Sequence, residues 1–428
     1  MLHLLFFQAM YFSSLARSRL TVASWLALSP DLYLKFYLNT AGLCVLPLKH
    51  ILLILQINIL LVKELNGLTG LRFLAAFYVF VFHIYLRTPF TFLPAPVATV
   101  ISMGAIGVNL FFVLSGFILT YAHLKDFPEP ALPTPQYYGK FLLKRVARIY
   151  PAYLVGLAAS LGVSIFLQDF PHPFPLIVAL DATMLQSYFP SLAMAWYGGG
   201  AWSVSTEFFF YLLFPFMLPL LLRLPGKALL PLLVLAVAAS SLPGLFSATH
   251  PGVLSFPETY AFPPCRLPEF VCGVLLGLLI IRRDFRVPEW SVLLLLLGTA
   301  LYLAKFGARL PGYTGHNFIV VPAIMAVIAL TIRYERTRFF RWVGSGIMQY
   351  LGRISYSFYI MQLPLLILLE GLMRQGLIHK QDTWVALPIL VLNLLLAAGL
   401  YEAVEKPTHR FLLTRLLKKR LSAPSVSA

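Results

Sequence analysis

The sequence predicts an all-α polytopic membrane protein of about ten transmembrane helices, together with one re-entrant or interfacial segment. Of its 428 residues, 59% are hydrophobic and only 11% are charged, and the mean hydropathy is +0.82. A soluble domain normally has about 25% charged residues, so most of this chain must face lipid. Apolar runs of roughly 18 residues recur, and each is long enough to cross a hydrocarbon core about 30 Å thick as a helix.

Ten apolar runs are predicted to span the membrane. In chain order they are 68–86, 97–121, 150–167, 205–222, 228–246, 268–281, 290–304, 317–332, 354–372 and 384–402. A further apolar stretch, 174–188, is short, contains Asp181 and is bracketed by prolines. Its status decides the topology of every later run.

Loop charges indicate that 174–188 does not span. If it lies outside the count of spans, the loops on one side hold 20 Lys and Arg residues and the opposite loops hold 6. If it spanned, the later loops would exchange sides and this bias would largely vanish. The positive-inside rule therefore predicts a re-entrant or interfacial segment at 174–188, ten spans and a cytoplasmic C-terminus. The predicted location is the bacterial cytoplasmic (inner) membrane.

Three regions are predicted along the chain: an N-terminal extension at 1–62, a membrane domain at 63–410 and a basic cytoplasmic tail at 411–428. The first region is either a genuine extension or an over-long gene model. The net charge of +17 is spread between apolar runs, which is typical of membrane topology and not of a nucleic-acid surface. The three cysteines show no metal-binding or disulfide spacing, and no metal site is expected.

Two ionisable residues in the first predicted span, Arg72 and His83, are functional candidates because charged groups within a membrane are costly. They are eleven residues apart, which is three helical turns plus roughly 20°, so both lie on one helix face about 16 Å apart along the axis. Arg72 would lie near the interface and His83 near mid-membrane. The alternatives are a snorkelling anchor for Arg72 and a packing role for His83.

Several short motifs follow one another in the rest of the chain. After Arg72 and His83 come the segments 104–117, 144–153, 202–207, 266–270, 351–357 and 405–407. In this order they resemble the acyltransferase-3 family, membrane acyltransferases related to O-antigen and exopolysaccharide O-acetylases. The resemblance covers about 65 to 410. Each motif alone is weak, but their common order favours the family.

The chain departs from the family pattern at two positions. Asn109 stands where Asp is common, and Gln362 stands where the motif after Tyr359 commonly ends in His. A neutral amide can orient a substrate by hydrogen bonds but cannot exchange protons. We therefore expect Asn109 and Gln362 to bind substrate, and His83 to be the stronger candidate for general base.

The resemblance implies transfer of an acyl group, most simply acetyl, from acyl-CoA to a hydroxyl of a glycan or lipid-linked glycan. Acyl-CoA would be a co-substrate, with no tightly bound cofactor. Arg145 and Arg148 lie three apart on one helix face and could clamp the CoA phosphates, with Arg72 at the pantetheine arm. A histidine can then accept the proton of the attacking hydroxyl. The alternative for the two arginines is a positive-inside anchor.

Two residues of the 202–207 motif complete the predicted site. Glu207 could orient the acceptor or hold the His83 tautomer, and its alternative is an interfacial carboxylate. Trp202 could stack on a sugar, or belong to the interfacial aromatic belt. The loop 168–204, which has no Lys or Arg, is a candidate acceptor surface.

A rival function class is a transporter or flippase of a glycolipid or polysaccharide precursor, without acyl chemistry. A third class, a structural or sensory membrane protein, offers no reason for Arg72, His83 and Glu207. Consumption of acyl-CoA separates the enzyme from the other two. In every case membrane lipids surround the protein, and no nucleic-acid partner is expected.

Overall fold

The computed structural model describes residues 66–127, 131–250, 252–253, 255–283, 288–307, 313–333, 337–411 and 414. The predicted extension at 1–62 lies outside the described residues, as does most of the predicted tail at 411–428. Within the described part every regular secondary-structure element is a helix, and ten helices are long and apolar enough to cross a membrane. The predicted all-α class and the number of spans are therefore confirmed.

We number the ten helices in chain order. They are α1 Asn66–Arg87, α2 Gly107–His123, α3 Pro135–Leu167, α4 Gly198–Leu222, α5 Gly226–Thr249, α6 Pro263–Arg283, α7 Glu289–Phe306, α8 Asn317–Arg333, α9 Gly346–Arg374 and α10 Ala386–Leu400. A π-helical segment, Tyr401–Glu405, continues α10. Shorter helices lie at Ala95–Ser102, Phe174–Ala182, Pro190–Ala193, Phe256–Tyr260 and Arg338–Val343.

Single 3₁₀ turns lie between the helices, at Gly104–Ile106, Leu124–Asp126, Gln186–Tyr188, Tyr313–His316 and Thr383–Val385. The segment predicted not to span, 174–188, consists of a nine-residue helix and one of these turns. A nine-residue helix is too short to cross a bilayer, so this prediction is confirmed.

The predicted bounds differ most from the structure at two spans. The third span was expected to begin at 150, but α3 begins at Pro135. Thr134 accepts a hydrogen bond from the Tyr137 N–H, and Pro135 occupies the first turn, so the basic segment is capped as a helix and not left as a loop. The second expected span, 97–121, is divided into Ala95–Ser102 and α2.

The interior is formed by α1, α2, α6, α8 and α9, each with more than half of its membrane segment buried, whereas α5, α7 and α10 are largely exposed. The exposed helices are apolar on their outer faces, as lipid contact requires. Helices α2 and α6 approach closely because Gly116 and Gly273 lie at their contact. A Cβ at Gly116 would collide with the Phe270 carbonyl, and one at Gly273 with the Val113 carbonyl.

Candidate active site

A narrow cavity lined by three arginines lies between α1, α2, α3, α4 and α9. Its volume is about 80 Å³, and we call it the arginine cavity. Its polar lining comes from Arg72, Ser115, Arg145, Arg148, Ser203, Glu207, Tyr211, Ser355, Tyr356 and Tyr359. The structure thus brings four of the predicted site residues, the three arginines and Glu207, to one place.

The arginine cavity has an excess of positive charge. The Glu207 carboxylate accepts hydrogen bonds from Ser115 Oγ at 3.0 Å and from the Tyr211 hydroxyl at 2.5 Å. Among the residues that the structure describes, neither Arg72 nor Arg148 has a carboxylate within ion-pair distance. Counting Glu207 as one negative charge leaves two positive charges on the lining. Such a surface is suited to an anionic ligand.

Arg145 contacts one member of a pair of residues, His123 and Asp126, that the sequence did not point to. The Nη2 of Arg145 lies 3.4 Å from His123 Nε2, and His123 Nδ1 lies 2.7 Å from the Asp126 carboxylate. The Tyr137 hydroxyl also reaches Asp126, at 3.1 Å. An arginine can only donate, so His123 Nε2 accepts and its Nδ1 donates to Asp126. This series of hydrogen bonds fixes the direction of the Arg145 guanidinium.

A second and larger cavity, of about 550 Å³, contains His83, and we call it the histidine cavity. Six Phe, Tyr and Trp side chains line it: Phe82, Trp196, Trp202, Tyr260, Tyr313 and Tyr359. Its four charged groups form two ion pairs, Arg87 with Glu370 and Arg374 with Asp169. The lining is therefore aromatic and electrically neutral, which is typical of sites for uncharged polar ligands.

Gln362 contacts His83 itself. The Nδ1 of His83 lies 3.3 Å from Gln362 Oε1, and Gln362 Nε2 donates to the Tyr359 carbonyl at 3.0 Å. Because the carbonyl contact fixes which end of the amide faces His83, Nδ1 must carry the proton. Nε2 of His83 is then left with a free lone pair, which is what a general base needs.

The two cavities are neighbours on opposite sides of one partition, since Val108 and Tyr359 line both. The lining residues follow the alternating direction of the helices. Along α1, Arg72 lines the arginine cavity and the later His83 lines the histidine cavity, whereas along α4 the order is reversed, with Trp202 on the histidine cavity and the later Glu207 on the arginine cavity. The two cavities therefore lie toward opposite membrane faces.

Asn109 has a different location from the one expected of a substrate contact. Its side chain is fully buried and lies on neither cavity wall. It accepts from Arg266 Nη2 at 2.6 Å and donates to Asn317 Oδ1 at 2.6 Å; Asn317 donates to Glu269 at 2.6 Å. Arg266 Nε donates to Glu269 at 3.0 Å, which closes a ring between α2, α6 and α8.

The remaining predicted residues are also located. Trp202 is 2% exposed and lines the histidine cavity, so it is not part of a lipid-facing aromatic belt. Glu207 and His83 line different cavities, and the hydrogen-bond partner of His83 is Gln362. Tyr359 and Ser203 were not predicted as site residues. The available signal was that each places a hydroxyl group within a predicted or adjoining membrane segment.

Comparisons with known proteins find relatives over most of this chain. A family profile described as an acyltransferase domain matches residues 65–402. Acyltransferase MdmB of Streptomyces mycarofaciens is 30% identical over 378 residues, which cover 82% of this chain and 93% of that protein. O-acetyltransferase OatA of Staphylococcus aureus is 23% identical over 383 residues, covering 81% of this chain and 58% of OatA. The chain thus spans little more than half the length of OatA. No solved structure matches the chain significantly.

Proposed function

This chain belongs to the acyltransferase-3 family and is a multi-pass membrane acyltransferase; from that premise we propose that it transfers an acyl group from acyl-CoA to a hydroxyl. The acyl group is most simply acetyl, and the acceptor is a glycan or lipid-linked glycan. One observation carries the proposal: a cavity lined by three arginines and a cavity containing a histidine share a wall.

The arginine cavity is the proposed donor site. The phosphates of CoA are anionic, and guanidinium groups bind phosphate oxygens bidentately. Arg145 and Arg148 would hold these phosphates, and Arg72 would face the pantetheine arm. A cavity of about 80 Å³ suits a slender arm and not a nucleotide, so the nucleotide would remain at its mouth. The thioester would then approach the partition formed by Val108 and Tyr359.

The histidine cavity is the proposed acceptor site. Aromatic rings such as Trp196 and Trp202 can stack on the apolar face of a sugar, and the paired charges can bind its hydroxyls. His83 Nε2 would take the proton from the attacking hydroxyl oxygen, which forms a bond to the acyl carbon. The carbon–sulfur bond then breaks, and the CoA thiolate receives the proton back from His83.

The proposed orientation follows from the loop charges. The side rich in Lys and Arg would be the cytoplasmic side of a bacterial inner membrane, with the C-terminus there. Acyl-CoA would then bind from the cytoplasm and the acceptor from the opposite face. The word O-acetyltransferase in the name of OatA supports oxygen as the acceptor atom.

Acyl-CoA turnover by the purified protein in nanodiscs tests the proposal. Release of free CoA in the presence of a glycan extract is expected from the wild type, and His83→Ala should lower it by roughly 10²–10⁴-fold, the contribution of a general base. His250→Ala, an exposed histidine on neither cavity wall, is the control and should retain activity. If the wild type neither binds nor consumes acyl-CoA, acyl-CoA is not the donor and the proposed function is wrong.

A further inference from the structure

The Tyr359 hydroxyl lies at the boundary between the two cavities. Tyr359 is 6% exposed and lines both of them. Its hydroxyl donates to the Gly200 carbonyl at 2.8 Å and lies 2.8 Å from Ser203 Oγ. Ser203 Oγ in turn lies 3.3 Å from the same Gly200 carbonyl. Three oxygen atoms therefore form a triangle at the partition.

This triangle contains fewer protons than contacts. The two hydroxyls supply one proton each, whereas three oxygen–oxygen contacts are available. At any moment one of the three contacts has no proton. The Tyr359 O–H can therefore turn from Gly200 toward a ligand, while the Ser203 O–H donates either to Tyr359 or to Gly200. The two hydroxyls still make two hydrogen bonds in total. Tyr359 can thus be redirected toward a ligand at little cost.

The thioester carbonyl must lie close to this hydroxyl during transfer. The donor's anionic end belongs at the mouth of the arginine cavity, with its arm inside, and the base is in the histidine cavity. The reacting carbon therefore has to lie at the wall that both cavities share. Gln362 links Tyr359 to the base, because its amide contacts both His83 Nδ1 and the Tyr359 carbonyl. Base and hydroxyl are therefore held by one turn of α9.

We propose that Tyr359 is a catalytic residue that donates a hydrogen bond to the carbonyl oxygen of the acyl thioester. The inference rests on the proposed function. As the acceptor oxygen attacks, the carbonyl π electrons move to the oxygen, where the Tyr359 O–H stabilises the negative charge. When the carbon–sulfur bond breaks, the carbonyl re-forms, the thiolate takes the proton from His83, and the Tyr359 hydroxyl returns to Gly200.

The test compares Tyr359→Phe with Tyr150→Phe. Tyr150 also donates to a backbone carbonyl, that of Ala182 at 2.8 Å, but it lines neither cavity. Tyr359→Phe should lower kcat roughly 10²–10³-fold, as loss of one oxyanion donor does. The Kd of Tyr359→Phe for free CoA, which has no thioester carbonyl, should stay within about twofold of the wild-type value. Tyr150→Phe should change neither quantity.

Each other outcome is informative. Wild-type kcat in Tyr359→Phe overturns the inference and leaves the proposed function intact, whereas no turnover by the wild type removes the proposed function itself. Loss of CoA affinity together with kcat assigns Tyr359 to the structure of the partition and also overturns the inference. If Tyr359→Phe does not fold, 3-fluorotyrosine at 359 retains the hydroxyl with greater acidity, and an unchanged kcat there counts equally against the inference.

Discussion

At the scale of single residues, His83 depends on a partner that is 279 positions away in the sequence. Helical periodicity predicted that Arg72 and His83 share one face of α1, and in the structure each of them lines one of the two interior cavities. It could not predict that Gln362 reaches the imidazole, because such a pairing depends on how α1 and α9 pack. The substitution of His by Gln was visible in the sequence, but its consequence, a fixed imidazole tautomer, required the position of the Tyr359 carbonyl.

Asp181 is the one ionisable residue of the short helix Phe174–Ala182, which lies outside the ten spanning helices. Its side chain is fully buried, and burial raises the pKa of its carboxyl from 3.8 to about 8, an effect that the nearby Gly198 N–H only partly offsets. The folded protein therefore binds this proton more tightly than the unfolded chain does. Stability from this group is complete below about pH 4 and is lost as the pH rises through about 8.

We therefore expect Asp181→Asn to stabilise the protein relative to the wild type at high pH. The gain should be on the order of several kcal/mol at pH 9, since a pKa difference of one corresponds to about 1.4 kcal/mol, and should fall to about 1–2 kcal/mol at pH 5. Thermal unfolding in detergent at the two pH values measures it. An equal effect of the substitution at both pH values would contradict the buried, protonated carboxyl.

At the scale of helices, hydropathy predicted the apolar segments that cross the membrane and missed the polar helical turns outside it. The membrane-crossing parts of all ten helices were visible as apolar runs, because lipid contact demands them. The first turns of α3 are basic and polar, so an apolar window placed the start of this helix too late. The Thr134–Pro135 pair, a helix start signal, could have located the true beginning.

The ring of Asn109, Arg266, Glu269 and Asn317 is the polar contact between α2, α6 and α8. The sequence motif at 266–270 could be recognised, but not its role, since the spacing of residues does not specify which helices meet. Arg266 also lies over the rings of Phe112, Trp202 and Tyr260, at 5.3, 5.6 and 5.1 Å from their centroids. We assign Asn109 to this structural ring.

Removal of one charge from the ring should be more damaging than removal of both. Arg266→Leu leaves the buried Glu269 carboxylate without its partner, and we expect a loss of about 3–5 kcal/mol of unfolding free energy. In Arg266→Leu with Glu269→Leu no buried charge remains, and most of that loss should be recovered. Unfolding in mixed detergent micelles gives both values. A double variant less stable than Arg266→Leu would show that the ring acts by its hydrogen bonds alone.

At the scale of the whole molecule, the two cavities make the two membrane faces of the protein different, with the arginine cavity toward one face and the histidine cavity toward the other. Ten helices of alternating direction place Arg72, Glu207 and Arg148 toward one face, and Glu370 and Arg87 toward the other. The count of Lys and Arg in the loops predicted the alternation from sequence. The existence of two cavities, and their shared wall, could not be predicted, because cavities arise from packing between helices that are far apart in the chain.

Labelling of two single cysteines tests this arrangement. In a chain with Cys44, Cys265 and Cys272 replaced by alanine, Lys125→Cys lies between α2 and α3 and Lys380→Cys between α9 and α10, and both native lysines are exposed. Because these connections are on opposite faces, a membrane-impermeant maleimide should label Lys380→Cys in intact cells and Lys125→Cys only after permeabilisation. Labelling of both without permeabilisation would contradict the alternation. Labelling with the two sites exchanged would keep the two-sided arrangement but place the arginine cavity toward the outside, where no cytoplasmic acyl-CoA could reach it.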